Sequence, residues 1–294
     1  MSPITLSYVV TTFNKIEYLK ITLAQLMEAC QSDEEIVVVD GGSDDGTQDY
    51  LAVLWESRKI HQFISEKDFG EAHGINKAMM MAKGKLVKII TDDDVYYFPA
   101  VQRCKAFMLE HQSIDVLGFD GLGVSRSVEK PNFAITHYID GFRNWTKTKK
   151  PFLFCGLSLM IRKTSLAYLG LFNTKFKIVD LEYSMRVSSL RTKIAFYTGL
   201  GFVNIVGPDS NSVKFYGTIE DERVIVRKMY LPEESEVTLA QRVKNVRGVL
   251  GGMKNAILGS PPASRPAEYE KIVEQGMALL EEYDRSRPSE ILIA

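Results

Sequence analysis

With 294 residues, 45% of them hydrophobic and 25% charged, the chain has ordinary globular composition and the length of one large α/β domain plus an appendage. A net charge of −1 excludes a bulk electrostatic pull toward nucleic acid or an acidic membrane. Cys30, Cys104 and Cys155 are far apart and in no metal-ligand spacing, which fits a reducing compartment and small buried hydrophobes.

The N-terminus enters a strand at once, and no apolar run reaches the length of a membrane span, so the expected location is cytoplasmic. Ile4 to Thr12 is rich in β-branched and aromatic residues and reads as that strand, ending in Thr11-Thr12-Phe13-Asn14. Ile16, Leu19, Leu23, Leu26 and Met27 then recur at helical spacing between Lys15 and Cys30. Glu35 to Asp40 is a second strand of buried type. Strand, helix and strand with short joints make a βαβ unit, hence a parallel sheet.

Gly41-Gly42-Ser43-Asp44-Asp45-Gly46-Thr47 follows that strand. A glycine-rich turn here suits phosphate, but neither G-x-G-x-x-G nor G-x-x-x-x-G-K-[ST] is present. Asp40, at the strand end, is placed to accept hydrogen bonds from a base or ribose, and Asp44 to cap the next helix. The plainer reading is a tight turn. Ile60 to Ile64 gives a third strand, and Asp68 precedes a helix from about Ala72 to Lys83, where it would serve as a cap. Met79 to Met81 in that helix read as core filling.

Leu86, Val87, Ile89 and Ile90 form the next strand, and Asp92, Asp93 and Asp94 stand at its C-terminal end. Ligands of open α/β sheets bind at that end. One aspartate there would suit a helix cap. Three adjacent carboxylates repel one another and predict a divalent cation. A helix through about His111 and a strand from Ile114 to Asp120 follow.

Four segments in order, V-V-T-T-F-N, E-I-V-V-V-D-G-G-S-D-D-G-T, S-E-K-D-F-G-E-A-H-G-I-N-K-A and T-D-D-D-V-Y-Y-F-P, resemble family 2 glycosyltransferases of the GT-A type. The resemblance implies an α/β, GT-A-like (Rossmann-type) mainly parallel sheet flanked by helices, with a C-terminal helical extension. It also implies an inverting enzyme that uses a nucleotide-sugar donor. Carried onto this sequence, it puts Thr11, Phe13 and Asp40 along the base and ribose pocket, and Asp68 near the donor. Asp92 and Asp94 would bind Mn²⁺ or Mg²⁺, with Asp94 the better ligand and Asp93 turned to the ribose. The metal would bridge the donor's phosphates.

Beyond the aspartates, Gly121 to Lys150 reads as a long loop over the site and Pro151 to Arg162 as an apolar core strand. The segment V-D-L-E-Y-S-M-R resembles the family's D-x-E/D-x-x-x-R stretch, whose leading acid is the general base. Asp180 is therefore the expected base, with Glu182 in reserve, since two residues along a helix it points elsewhere. Arg186 is as readily an ion-pair partner as a phosphate contact, and His73 reads as structural. Tyr197 to Tyr216, with its G-L-G and G-P-D-S-N-S, reads as a turn-rich loop closing over the donor. Many relatives carry a histidine there, where this chain has Asn204 and Val206-Gly207.

The reading divides the chain into a catalytic domain, 1–230, and a helical extension, 231–294. The nucleotide-sugar half is about 1–98 and the acceptor half about 99–230. Residues 238–259 combine an apolar stripe with Arg242, Lys244, Arg247 and Lys254 and no acid, a pattern that suits either docking on protein or peripheral contact with the inner face of the cytoplasmic membrane. Pro261-Pro262 ends it, and Ala267 to Arg285 reads as a second amphipathic helix. The expected reaction moves a sugar, from a UDP-sugar first of all, to a hydroxyl of a glycan or lipid-linked saccharide. The alternatives are an inactive nucleotide-sugar-binding scaffold and a sugar nucleotidyltransferase, which lacks its usual basic glycine-rich loop here. Donor base, acceptor and homo-oligomer formation stay open.

Overall fold

The computed structural model of the protein describes residues 3–126, 131–190, 192–232 and 266–294. The amphipathic stretch 238–259 and Pro261-Pro262 lie outside the described residues.

The first half alternates as its periodicities require. Strand β1 (Leu6–Thr12) is followed by helix α1 (Ile16–Ala29), β2 (Glu34–Asp40) and α2 (Thr47–Glu56). Then come β3 (Gln62–Ser65), α3 (Glu71–Met81), β4 (Leu86–Thr91) and the two-residue β5 (Val95–Tyr96). Strands β4, β1, β2 and β3 are parallel neighbours. In β1 the side chains alternate between two cores. Leu6, Tyr8 and Val10 pack toward α1 and α2, whereas Val9 packs toward α3. Met79 is buried as core filling while Met80 is exposed, so only part of the methionine run faces inward.

In the second half, α4 (Phe98–Glu110) leads to β6 (Val116–Ser125), β7 (Ala134–Ile135), α5 (Tyr138–Thr148) and β8 (Met160–Arg162). The short α6 (Leu166–Leu169), α7 (Val179–Ser189) and β9 (Ile194–Val206) come next. They are followed by α8 (Asn211–Lys214), α9 (Tyr216–Tyr230), α10 (Pro266–Ser286) and β10 (Ile291–Ile293). The sheet order is β10-β9-β6-β8-β4-β1-β2-β3, with β5 on β9 and β7 on β6. Strands β8 and β10 run against their neighbours. Helices cover both faces, giving the α/β architecture expected of the sequence. Among the described residues, no helix is long and apolar enough to cross a membrane.

Three segments differ from their sequence reading. The stretch read as a loop over 121–150 carries the end of β6, β7 and α5. Tyr138, Phe142 and Trp145 there fall at helical spacing, and Phe142 and Trp145 are buried. Asp120 holds that helix, its carboxylate accepting from Tyr138 N at 2.5 Å and Thr136 Oγ1 at 2.8 Å. Of the apolar stretch 151–162, only Met160–Arg162 is strand, preceded by a 3₁₀ turn at Gly156–Ser158. The presumed turn-rich loop 197–216 is mostly β9. Gly201 there is not a turn but a clearance for a ring on the neighbouring strand, as is Gly121 on β6. A Cβ on Gly201 would lie 2.4 Å from the Phe119 ring, and one on Gly121 of β6 would lie 2.5 Å from the Phe202 ring.

The described part of the tail belongs to the same sheet. Tyr269, Ile272, Val273 and Leu280 of α10 are buried in the core shared with β1 and α1, and β10 pairs with β9 through Ile291 to Tyr197.

Candidate active site

Strand register brings the site together. Thr11 of β1 lies beside Thr91 of β4, and Thr12 beside Asp40 of β2, so the loops that follow these strands open on one edge. A cleft of about 800 Å³ lies there. Thr11, Phe13, Asp68, Asp92, Asp93, Asp94 and Asp180 all line it. Asp40 does not. It is fully buried, its carboxylate accepting from Ser65 Oγ at 2.6 Å, from Ser43 N at 3.1 Å and from Ser43 Oγ. It shapes the β2–α2 turn from below. The same turn is stitched to the β1–α1 loop, where Asn14 N donates to Ser43 Oγ and Asn14 Oδ1 accepts from Asp44 N. At the start of α2 it is Asp45, not Asp44, that accepts from Thr47, at 2.6 Å from Oγ1 and 3.2 Å from N.

Asp68 accepts from Gly70 N at 2.8 Å. A Cβ on Gly74 would lie 3.2 Å from both Asp68 Oδ2 and Thr11 Cγ2, so these two side chains converge over the first turns of α3. His73 stays local, its Nδ1 accepting from Phe69 N at 3.3 Å.

The three aspartates are 4–7% exposed and differently engaged. Asp93 Oδ2 takes the Lys15 ammonium at 2.6 Å, and Asp92 Oδ1 takes it at 3.3 Å. Burial alone would depress that ammonium's pKa, but the two carboxylates raise it above its ordinary value. Asp94 accepts from Thr91 Oγ1 at 2.5 Å and from Ile205 N of β9 at 2.6 Å. Burial, then the charge of Asp93, pushes Asp94 above the usual carboxylate range. Burial and Asp93 also raise Asp92, against the pull of Lys15. One ammonium thus faces three carboxylates, which leaves a deficit of positive charge.

That donor set fits a hard divalent cation: it is all oxygen, buried and under-compensated. The bonds from Thr91 and Ile205 occupy one lone pair on each Asp94 oxygen and orient the group as outer partners do at metal sites. Among the described residues, no three histidine, cysteine, aspartate or glutamate side chains already converge as a finished metal cage.

Asp180, in the first turn of α7, lines the same cleft as the aspartates. Burial raises its pKa, opposed by the N–H groups of Leu181, Asp180 and Gly156 and by the Arg223 charge. Glu182 is turned away, as its position in the helix predicts, and accepts from Arg186 Nε and Tyr230 Oη, each at 2.9 Å. Arg186 spends its remaining donors on the carbonyls of Leu169 and Leu171, so it is an ion-pair and packing residue.

Lys15, Glu71, Lys177 and Arg223 also line the cleft and carry no signal of their own in the sequence. Glu71 sits in the field of Asp180 and Asp93, and burial raises its pKa. It accepts from Asn211 Nδ2 of α8 at 2.9 Å, which bridges the mouth of the cleft.

A profile of the family described as Glycosyl transferase family 2 matches residues 7–168. TuaG of Bacillus subtilis (strain 168), provisionally named a teichuronic acid biosynthesis glycosyltransferase, is 25% identical over 145 residues, 47% of this chain. The chain spans 57% of that relative's length. Among solved structures, S. aureus TarS 1-349 in complex with UDP-GlcNAc has a TM-score of 0.55 at 15% identity, over 96% of this chain and 92% of that one. The mannosyltransferase PcManGT from Pyrobaculum calidifontis, solved with GDP-Man and Mn²⁺, has a TM-score of 0.56 at 16% identity, over 97% and 82%. At these identities the structures share the fold.

Proposed function

The chain belongs to glycosyl transferase family 2, and from that premise we propose that it is an inverting transferase moving a sugar from a nucleoside-diphosphate donor, a UDP-sugar first of all, to a hydroxyl of a glycan or lipid-linked saccharide. The observation that carries this reading is that Asp180 and the aspartate cluster, 86 residues or more apart in sequence, line one cleft.

Thr11 and Phe13 flank the base and ribose, with Asp68 and Asp93 as further donor contacts. Asp40 enters only through the turn it builds. Asp92 and Asp94 would hold Mg²⁺ or Mn²⁺, which when bound offsets the charge growing on the departing diphosphate. Asp180 takes the proton of the acceptor hydroxyl as that oxygen attacks the anomeric carbon, and the nucleoside diphosphate leaves from the opposite face. Burial supports this role by raising the basicity of the carboxylate, and the N–H groups bearing on it favour its charged form.

Calorimetric titration of UDP, dTDP and GDP, each with and without Mn²⁺, into wild type and Asp94→Ala tests the donor half. Metal-dependent binding of one nucleotide, lost in the variant, is expected. No binding to any of them would leave the fold standing and favour an unusual donor or a scaffold that has lost nucleotide binding. Asp180→Asn tests the other half: donor binding survives and turnover collapses. Turnover within a few-fold of wild type would remove Asp180 from the role of base.

A further inference from the structure

The charged residues that line the cleft divide unevenly between the two halves of the chain. From the second half come Lys177, Lys214 and Arg223, together with Asp180 and Asp209. Asp209 is taken by the Arg126 guanidinium, so three cations are left with Asp180 as the uncommitted carboxylate. Arg223 donates through Nε to Glu220 on its own helix at 3.1 Å, and its two Nη nitrogens have no hydrogen-bond partner among the described residues. Lys177 and Lys214 are exposed, and among the described residues neither ammonium has an ion-pair partner.

The fold holds these cations together. Helix α7 packs on α9 through Ile178, Leu181, Ile219 and Val226. The buried Glu222, next to Arg223, accepts from the backbone N–H of Lys177 at 2.7 Å and of Ile178 at 2.9 Å. Lys177 Nζ lies 4.8 Å from the centroid of the Phe215 ring, and Phe215 follows Lys214 directly. The same ammonium is 3.2 Å from the place a Cβ on Gly70 would take, so it reaches over the start of α3. Positive charges fixed this close repel one another, and a cleft lined by one sign of charge concentrates ligands of the other. Leu153, Phe176 and Ile219 supply apolar lining beside them, which suits the C–H face of a sugar ring.

We propose that the acceptor is an anionic saccharide, whose phosphate or carboxylate group is bound by Lys177, Lys214 and Arg223 beside the Asp180 that takes its hydroxyl proton. The inference deepens the reading of Asp180 as the base and rests on it. The donor's diphosphate has, in that reading, the cation of the aspartate cluster to offset it. Lys177 instead stands on the segment that leads into Asp180, and Arg223 on the helix packed against it. The free Nη edge of Arg223 matches two oxygens of one phosphate or carboxylate, and the two ammonium groups add point charges around it. Such an anion is carried either on the sugar ring itself or in the phosphate that links a saccharide to a lipid.

The test is calorimetric binding of simple glycosides to the protein, alone and with UDP and Mg²⁺ present. Methyl glucoside 6-phosphate and methyl glucuronide carry the anion on the ring, glucose 1-phosphate carries it at the linkage, and methyl glucoside is the neutral control. At least one anionic probe is expected to bind about tenfold or more tightly than the control, and to weaken with added salt. Which probe binds separates the two sources of the anion. Lys177→Gln combined with Lys214→Gln should cost that probe about tenfold or more, while UDP affinity stays within about twofold. Lys214→Gln combined with Arg223→Gln replaces this variant should circular dichroism show it unfolded, and failure of both to fold overturns the proposal by making the cations structural. Equal binding of neutral and anionic glycosides, no binding of any anionic probe, or unchanged binding in the folded variant also overturns it. So does a parallel fall in UDP affinity, which would give the cations to the donor. Inorganic phosphate binding as tightly as the best glycoside would mean an adventitious ion only, and likewise overturns it. If UDP does not bind while an anionic glycoside binds and is lost in the variant, the donor reading fails and the anion site stands.

Discussion

The carboxylate of Asp40 is buried at the end of β2 and accepts from Ser43 and Ser65. Asp40→Asn would force an amide NH₂ against donors, and a cost of about 1–3 kcal/mol is expected, read from the midpoint of chemical denaturation. Asp180 gives the pH prediction. As the proposed base it must be ionised, burial raises its pKa, and so turnover should fall as pH drops through a value above the roughly 3.9 of an ordinary aspartate. A pH–rate profile checks this, and an acidic limb below that value would contradict it. That the aspartate cluster lines a site was legible from residue type and strand position, and that Asp180 joins it only from the resemblance of its segment to the family's D-x-E/D-x-x-x-R stretch. The partners were not, because Lys15 lies 77 and 78 residues from its carboxylates and Ile205 lies 111 from Asp94. No local pattern encodes such pairings.

At the level of elements, β1, α1, β2 and β4 could be read directly, since period-2 and period-3.6 burial differ over a few residues. Strand β9 could not. Its Gly199 and Gly201 look like turn formers when their surroundings are unknown, and only the folded sheet shows that Gly201 admits the Phe119 ring of β6 and Gly199 the Tyr197 ring of its own strand. Gly201→Ala would drive a methyl into Phe119, and destabilisation of about 1–3 kcal/mol is expected in thermal or denaturant unfolding. An unchanged midpoint would mean that β6 and β9 separate more easily than their packing suggests. Helix α5 was missed for a related reason: its aromatic spacing is helical, but the glycines and basic residues around it masked the period.

For the whole molecule, the stretch from Pro266 onward is part of the core. Removing 266–294 strips Tyr269, Ile272, Val273 and Leu280 from their packing, each a loss of roughly 1.5–3 kcal/mol for a large side chain. Together these rival the entire net stability of a domain of this kind, about 5–15 kcal/mol. The shortened chain is expected to lose its cooperative unfolding transition by circular dichroism. A transition of undiminished midpoint would show the catalytic half to be self-sufficient.

The three residues of β10 carry a further consequence. They lie at one end of the sheet, with the four-residue β3 at the other, and between them runs β9, thirteen residues long. With β10 and β5 in place, the flank of β9 is occupied at Ala195–Tyr197 and Phe202–Val203. Without β10, a long apolar row of unpaired N–H and C=O groups would face solvent, ready to template a strand from another molecule. Among the described residues, β10 thus replaces the long flank of β9 with a border of three residues on that side of the sheet, too short a template to recruit a neighbouring strand readily.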